Sequence, residues 1–127
     1  MKIAAIISRY LLGLVFTVFG LNGFFHFIPV TPMPPLAMQF FGAVVQSHFM
    51  VLVFALQVVG GVLLLVTRRY VPLALTLLAP VIVNIVLFHA TMAPSGLPVA
   101  IVVAVLWLIL AYRVRSAFAP ILQPLAR

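Results

Sequence analysis

The sequence contains no aspartate and no glutamate, and this absence excludes several kinds of chemistry. Without side-chain carboxylates there is no carboxylate general base, no acidic proton relay and no oxygen-rich cage for Ca²⁺ or Mg²⁺. Cysteine is also absent, which excludes thiol–disulfide exchange, iron–sulfur ligation and a thiolate nucleophile. Three histidines and a few amides are among the polar groups that remain for a site.

Charge of either sign is scarce, because only 6% of the residues are charged while 67% are hydrophobic. The mean hydropathy is +1.42, and a soluble domain of 127 residues cannot cover that much apolar surface. A net charge of +7 would suggest nucleic acid in a soluble protein. Here the basic residues stand singly or in pairs at the ends of apolar runs, which is typical of anchoring to lipid phosphate. We therefore expect an integral membrane protein whose partner is the lipid bilayer and not nucleic acid.

Four apolar runs predict four membrane-spanning helices. The expected spans are residues 8–27, 47–67, 71–91 and 97–113, followed by a basic surface tail, 114–127. Four of the seven residues in 29–35 are proline, so this connection cannot be regular helix. Residues 36–46 then predict a short helix at the outer interface, too short to span. The expected fold is all-α: a single four-transmembrane-helix bundle, 1–127, with a short outer-interface helix between helices 1 and 2.

Positive charge falls entirely on one side of this division. The seven basic residues are Lys2, Arg9, Arg68, Arg69, Arg113, Arg115 and Arg127. The two opposite connections, residues 28–47 and 92–98, contain no lysine or arginine. Because cytoplasmic loops carry the excess of basic residues, both termini are predicted inside. Tyr10, Tyr70 and Tyr112 each adjoin an arginine, as expected of an inner aromatic belt.

Two further patterns concern how the spans pack. Gly13, Thr17, Gly20 and Phe24 recur at intervals of three and four residues, which predicts a ridge of small residues where another helix approaches. Pro80 is expected to kink the third span and to free a carbonyl near residue 76. Trp107 and the basic residues are interpreted as membrane anchors.

Polar side chains inside the spans are the candidate ligand-binding residues. In order of preference they are Asn84 and His89, then Asn22 and His26, then Gln57. An unpaired polar side chain at membrane depth commonly costs a few kcal/mol, so these groups are expected to face inward. Asn22 and His26 are four residues apart and share a helix face. Asn84 and His89 are five apart and diverge by about 140° on a regular helix.

Several interpretations of these residues remain open. They can be interhelical hydrogen-bonding groups that only fix the packing. They can instead bind the carbonyls of a quinone headgroup that enters from the outer leaflet beneath the helix 36–46, with a neutral imidazole as donor. A bis-histidine haem on His26 and His89 is less favoured, because the outer side has no arginine or lysine for the propionates. A metal site of His26, His48 and His89 lacks carboxylate partners and is also less favoured.

Three stretches carry a family resemblance: residues 57–65 (QVVGGVLLL), 69–75 (RYVPLAL) and 79–89 (APVIVNIVLFH). With the layout of four short spans, they resemble the DoxX-like family of small bacterial integral membrane proteins. The resemblance covers nearly the whole chain and implies a four-helix bundle in the inner membrane. Some members are associated with quinone-linked sulfur or thiol oxidation, often as small subunits. Relatives often carry glutamate where this chain has Gln57, so no proton-transfer role is expected at that position.

The function expected from these observations is that of a small subunit of a membrane redox system, binding or neighbouring a quinone near the outer leaflet. No redox cofactor motif is encoded, so electron transfer requires partner redox subunits, with a homo-oligomer as the other expected assembly. The main alternative is a non-catalytic scaffold or assembly subunit, and the sequence does not decide whether the chain is catalytic. A channel or transporter is disfavoured, because no charged residue lines a pore.

Overall fold

Five α-helices make up most of residues 2–124, the part of the chain that the computed structural model describes. They are α1 (Lys2–Phe25), α2 (Pro35–Gln46), α3 (Val51–Val66), α4 (Val71–Thr91) and α5 (Leu97–Arg113). Short 3₁₀ turns follow α4 and α5, at Pro94–Gly96, Arg115–Ala117 and Ala119–Leu122. The prediction of an all-α fold is confirmed; Arg127 and the last part of the predicted tail lie outside the described residues.

Four of the helices form a ring. The helices α1 and α4 each pack against both α3 and α5. Neighbours run antiparallel: Gly20 of α1 lies against Val58 of α3, whereas Gly13, two turns earlier, lies against Leu65. The described basic residues, from Lys2 to Arg115, therefore lie at one end of the ring. The predicted helix between the first two spans is confirmed as α2, which lies outside the ring and starts with Pro35, where a missing N–H is harmless.

Membrane-spanning length is reached by three elements: α1, α4, and α5 with its leading 3₁₀ turn (Pro94–Arg113). The helix α3 has 16 residues and is about 24 Å long, shorter than the roughly 30 Å hydrocarbon core. The helices α2 and α3 meet at an angle of 86°, and together they are long and apolar enough to form one broken span or a re-entrant segment. The structure thus supports a membrane protein with three or four spans.

Helix boundaries follow the sequence prediction closely in the second half of the chain. The spans expected at 71–91 and 97–113 are α4 and α5. The first helix extends beyond the expected span to Lys2 and ends at Phe25 instead of residue 27, and the second span begins later than expected, at Val51. The delay arises because residues 47–50 form a turn in which His48 takes a left-handed conformation, with φ of 62°, which cannot continue a right-handed helix.

Small residues bring α1 and α3 into close contact, as the ridge in the sequence predicts. A Cβ built on Gly13 would lie 3.0 Å from the carbonyl oxygen of Gly61, and one on Gly20 would lie 2.9 Å from the backbone nitrogen of Val58. The predicted fourth member of the ridge, Phe24, is exposed. Beside this contact lies the hydrophobic core, whose fully buried apolar side chains include Leu12, Phe16, Leu64, Leu75 and Leu78.

The indole of Trp107 forms a hydrogen bond between α5 and α4. Its N–H donates to the carbonyl oxygen of Leu75 at 2.9 Å. Pro80 was expected to leave the carbonyl of residue 76 without a hydrogen-bond donor from its own helix. The carbonyl that Trp107 binds belongs to the preceding residue, in the same turn. The interpretation of Trp107 as a membrane anchor is therefore wrong, because its polar atom is used between helices.

Arg9 is buried at the basic end of the ring, with 8% of its surface exposed. Its guanidinium lies over the ring of Tyr10, with 4.4 Å between Cζ and the ring centroid. Nη1 is enclosed and has no hydrogen-bond partner among the described residues. The interpretation of Arg9 as a surface anchor is therefore incomplete, since part of its charge is shielded from the bilayer surface.

Candidate functional site

A cavity of about 630 Å³ lies at the end of the ring opposite the basic residues. All five helices and the connection after α1 contribute to its wall. Along α1 it extends from Val15 to Gly23, which corresponds to about 12 Å of helix, and His26 continues the wall beyond the helix. The volume is within the range of small-molecule sites, and the wall is mainly apolar with a few polar groups, the composition typical of such sites. Its polar side chains are Asn22, His26, Gln57 and His89.

Gln57 of α3 presents an unsatisfied amide to this cavity. The residue is only 7% exposed, and its side chain has no hydrogen-bond partner within residues 2–124. Its polar atoms are not among those sealed inside the protein, so they reach the cavity that the residue lines. The close approach of α1 holds it there, since a Cβ built on Gly20 would lie 2.9 Å from the Cβ of Gln57.

Asn22 lies in the last turn of α1 and offers the cavity a donor. Its Oδ1 accepts the backbone N–H of Ile28 at 2.7 Å, and its carbonyl oxygen accepts the N–H of His26 at 2.8 Å. The first of these bonds fixes the orientation of the side-chain amide, because a backbone N–H requires the oxygen. The side-chain NH₂ group remains for a ligand.

His89 of α4 offers the cavity an acceptor. Its Nδ1 lies 3.1 Å from the carbonyl oxygen of Ala93, and a carbonyl oxygen only accepts, so Nδ1 carries the hydrogen. In the neutral ring Nε2 then has a lone pair, and the described residues give it no partner. In this tautomer the single N–H of His89 is already engaged, so a neutral imidazole that donates to a ligand carbonyl would have to be that of His26.

The other two histidines lie at helix ends. His26 follows α1 with φ of 55° and is exposed at the cavity wall, whereas His48 lies in the α2–α3 turn and is not part of the wall. Within the described chain no group of three histidine, cysteine or acidic residues is placed to hold a metal ion. The three-histidine metal alternative is therefore not supported by the arrangement.

Asn84, the first candidate from the sequence, lies elsewhere. Its side chain is exposed on α4 and it does not contribute to the cavity wall. The reason is helical geometry: five residues separate it from His89, which turns it about 140° away once His89 faces inward. The expectation that Asn84 faces inward is wrong.

Sequence reasoning missed the residues that position His89. The ring packs onto Gly96 so closely that a Cβ there would overlap it, and the ring of Phe88 stands edge-on at 5.1 Å between centroids. The Pro94-Ser95-Gly96 turn was the available signal, since such a sequence predicts a tight connection. The helix α2 also reaches the cavity, because Phe41 and Val45 form part of its wall.

The polar groups of the cavity thus comprise a donor at Asn22, an acceptor at His89 and an amide at Gln57 that serves as either. This set complements a small apolar ring that bears hydroxyl or carbonyl oxygens. Comparisons of the chain with protein-family models, curated proteins and solved structures give no match. Function is therefore inferred from the cavity and its side chains.

Proposed function

We propose that this chain is a small DoxX-like membrane subunit whose cavity binds the headgroup of a quinone or its quinol. In this proposal α1, α2–α3, α4 and α5 are four spans of a bacterial inner-membrane protein with both termini in the cytoplasm. The grouping of α2 and α3 as one broken span supports the number four. The restriction of basic residues to one end supports the orientation.

The observation that carries the proposal is the free amide of Gln57 in an apolar cavity. A buried polar group without a partner costs about 1–3 kcal/mol. Gln57 is only 7% exposed, and its amide faces the cavity, where no side chain of residues 2–124 pairs with it. A ligand oxygen that enters the cavity would satisfy it, and the apolar wall would enclose the ring that carries that oxygen.

Access to the cavity is proposed from the outer leaflet. The wall at that end is formed by Pro29 and Val30 of the connection and by Phe41 and Val45 of α2. The helix α2 lies outside the ring and contacts α4 through the rings of Phe40 and Phe88, whose centroids are 5.7 Å apart. It is therefore placed to cover a headgroup as a lid while an isoprenoid tail remains among the lipids.

The role of the chain in this proposal is to bind and orient the headgroup. No cofactor motif is encoded, so electrons are exchanged between the bound ring and a partner redox subunit. Asn22 and Gln57 hold ligand oxygens, and His26, which is exposed at the cavity wall, lies toward the aqueous side. We place no metal or haem in the cavity.

Replacing Gln57 with leucine tests this function. The variant should bind a short-chain benzoquinone about 2- to 13-fold more weakly, because one hydrogen bond of roughly 0.5–1.5 kcal/mol is lost. It should also unfold at a higher temperature without ligand, because the unsatisfied amide is gone. Titration calorimetry in nanodiscs measures the first effect and a thermal unfolding assay the second.

Gln39→Leu is the matched control, since Gln39 is exposed on α2 and is not part of the cavity wall. This variant should bind as the unmodified protein does. Equal binding by Gln57→Leu and Gln39→Leu, or no binding of any benzoquinone to the unmodified protein, would reject the proposed site.

A second candidate is the role of an assembly subunit, and the exposed amide of Asn84 favours it. Asn84 lies on α4 beside Val83, and Val83 lines an apolar groove of about 480 Å³ formed by α4 and α5. An amide facing lipid is costly unless another chain pairs with it. The occupant we propose is a second copy, because an amide both donates and accepts and can pair with its own equivalent across a two-fold axis.

Asn84→Leu should weaken self-association about 3- to 30-fold, since interhelical hydrogen bonds contribute roughly 0.6–2 kcal/mol. Energy transfer between labelled chains in liposomes measures the dissociation constant. Thr76→Val is the control, because Thr76 is also exposed on α4 but its hydroxyl already donates to the carbonyl oxygen of Pro72. A protein that stays monomeric at high density in the bilayer would reject the dimer, as would equal dimers from both variants.

A further inference from the structure

We infer that the cavity discriminates between the two redox states of its ligand and prefers the quinol, because neutral His89 is an acceptor only. This inference rests on the proposed function, and it adds which form of the ring the site recognises. The deciding group is Nε2 of His89, whose tautomer is set by the bond from Nδ1 to the carbonyl oxygen of Ala93 at 3.1 Å.

The two ligand forms differ in what they offer to that nitrogen. A quinol hydroxyl donates its hydrogen to the lone pair of Nε2. A quinone carbonyl in the same position has only lone pairs, so two acceptors would face each other without a hydrogen between them. Sites built around one polar group reject the analogue that leaves this group unpaired.

The other polar groups do not separate the two forms. The NH₂ group of Asn22 donates, and both a carbonyl oxygen and a hydroxyl oxygen accept. Among residues 2–124 the amide of Gln57 has no partner that fixes its orientation, so it can turn its oxygen or its NH₂ group toward the ligand. Discrimination therefore depends on His89.

The local fold keeps His89 in this state. The carbonyl oxygen of Ala93 also accepts the backbone N–H of Gly96 at 3.1 Å, which closes the 3₁₀ turn. The opposite tautomer would direct the lone pair of Nδ1 at this oxygen and lose a hydrogen bond. Contact with Gly96 and with the edge of Phe88 limits rotation of the ring away from Ala93.

Three compounds with the same ring and the same short alkyl tail provide the test: the benzoquinone, its hydroquinone, and the hydroquinone dimethyl ether. The ether keeps the oxygens but has no hydrogen to donate. Binding to the full chain in nanodiscs is measured without oxygen in mildly alkaline buffer, where free imidazole is neutral. We expect the hydroquinone to bind at least about fivefold more tightly than the quinone and the ether.

Two variants locate the preference. His89→Leu removes the acceptor and should bring hydroquinone affinity down to that of the quinone, which should itself change little. Gly96→Ala keeps the imidazole but displaces it, because the added Cβ overlaps the ring, and it should also abolish the preference. Gly42→Ala should retain it, since a Cβ there meets nothing within 4 Å.

Equal binding of hydroquinone, quinone and ether by the unmodified protein would overturn the inference and leave the proposed quinone site standing. A preference that survives in His89→Leu would overturn it as well. Binding of none of the three compounds would reject the inference and the proposed function together.

Discussion

Gly61→Ala is expected to destabilise the fold by about 1–3 kcal/mol or more, the range for overpacking a closely packed interface. The added Cβ would lie 2.6 Å from the backbone nitrogen of Thr17 and 2.9 Å from the carbonyl oxygen of Gly13. These are backbone atoms and cannot rotate away, so α1 and α3 must separate. Separation opens the interface along its whole length, including the contact of Gly20 with Gln57. Unfolding of the detergent-solubilised protein by added denaturing detergent measures the effect.

A graded series of glycine variants makes this prediction specific. In Gly60→Ala the added Cβ meets the side chain of Leu78, 2.7 Å from its Cγ, and a side chain can adjust where backbone cannot. This variant should lose less stability than Gly61→Ala. In Gly42→Ala nothing lies within 4 Å, and alanine should stabilise α2 by up to about 1 kcal/mol. Equal stability of Gly61→Ala and Gly42→Ala would show that the α1–α3 contact is looser than described.

Arg9→Met is expected to stabilise the fold by about 1–4 kcal/mol, the range found when even a paired buried charge is replaced by well-packed apolar residues of similar volume. The sequence contains no aspartate or glutamate to pair with Arg9. Its Nη1 is enclosed without a partner in residues 2–124. Methionine fills a similar space without this desolvation cost. Thermal unfolding in a neutral detergent, which supplies no anionic headgroup, gives the comparison.

Arg69→Met controls for the loss of one positive charge at the same end of the protein. Arg69 is exposed, so removing it changes the charge balance without relieving burial. We expect its unfolding temperature to stay close to that of the unmodified protein. If Arg9→Met unfolds at a lower temperature than Arg69→Met, the guanidinium makes favourable interactions that outweigh its burial, and the prediction is wrong.

The free amide of Gln57 and the fixed tautomer of His89 distinguish this cavity from an apolar void left by imperfect packing. An empty apolar cavity alone would be filled by lipid tails, which have no oxygen for Gln57 or for Nε2 of His89. A ring with hydroxyl groups satisfies both and also accepts from Asn22. The proposed ligand is thus defined by hydrogen-bonding groups whose roles follow from Ile28 and Ala93.

The sequence by itself determined the class of this protein through its composition, and the bounds of its later helices through its hydropathy pattern. Hydropathy and the positions of lysine and arginine decide whether a segment is more stable in lipid or in water. Both can therefore be interpreted from the sequence without knowledge of tertiary contacts. The proline-rich connection likewise predicted the start of α2, because proline restricts its own backbone locally. These properties led to an all-helical chain with apolar spans and basic residues at one end.

Only the tertiary structure decided which way the polar side chains face. The spans are apolar on all sides, so no hydrophobic periodicity distinguishes a lipid-facing surface from a helix-facing one. Packing through Gly13, Gly20 and Gly61 set the rotation of α1 and α3, which turned Gln57 into the cavity. On α4, packing against α3 and α5 turned His89 toward the cavity and left Asn84 exposed. The donor and acceptor roles in the cavity depend on backbone groups brought near by folding, which no pattern of residue types encodes.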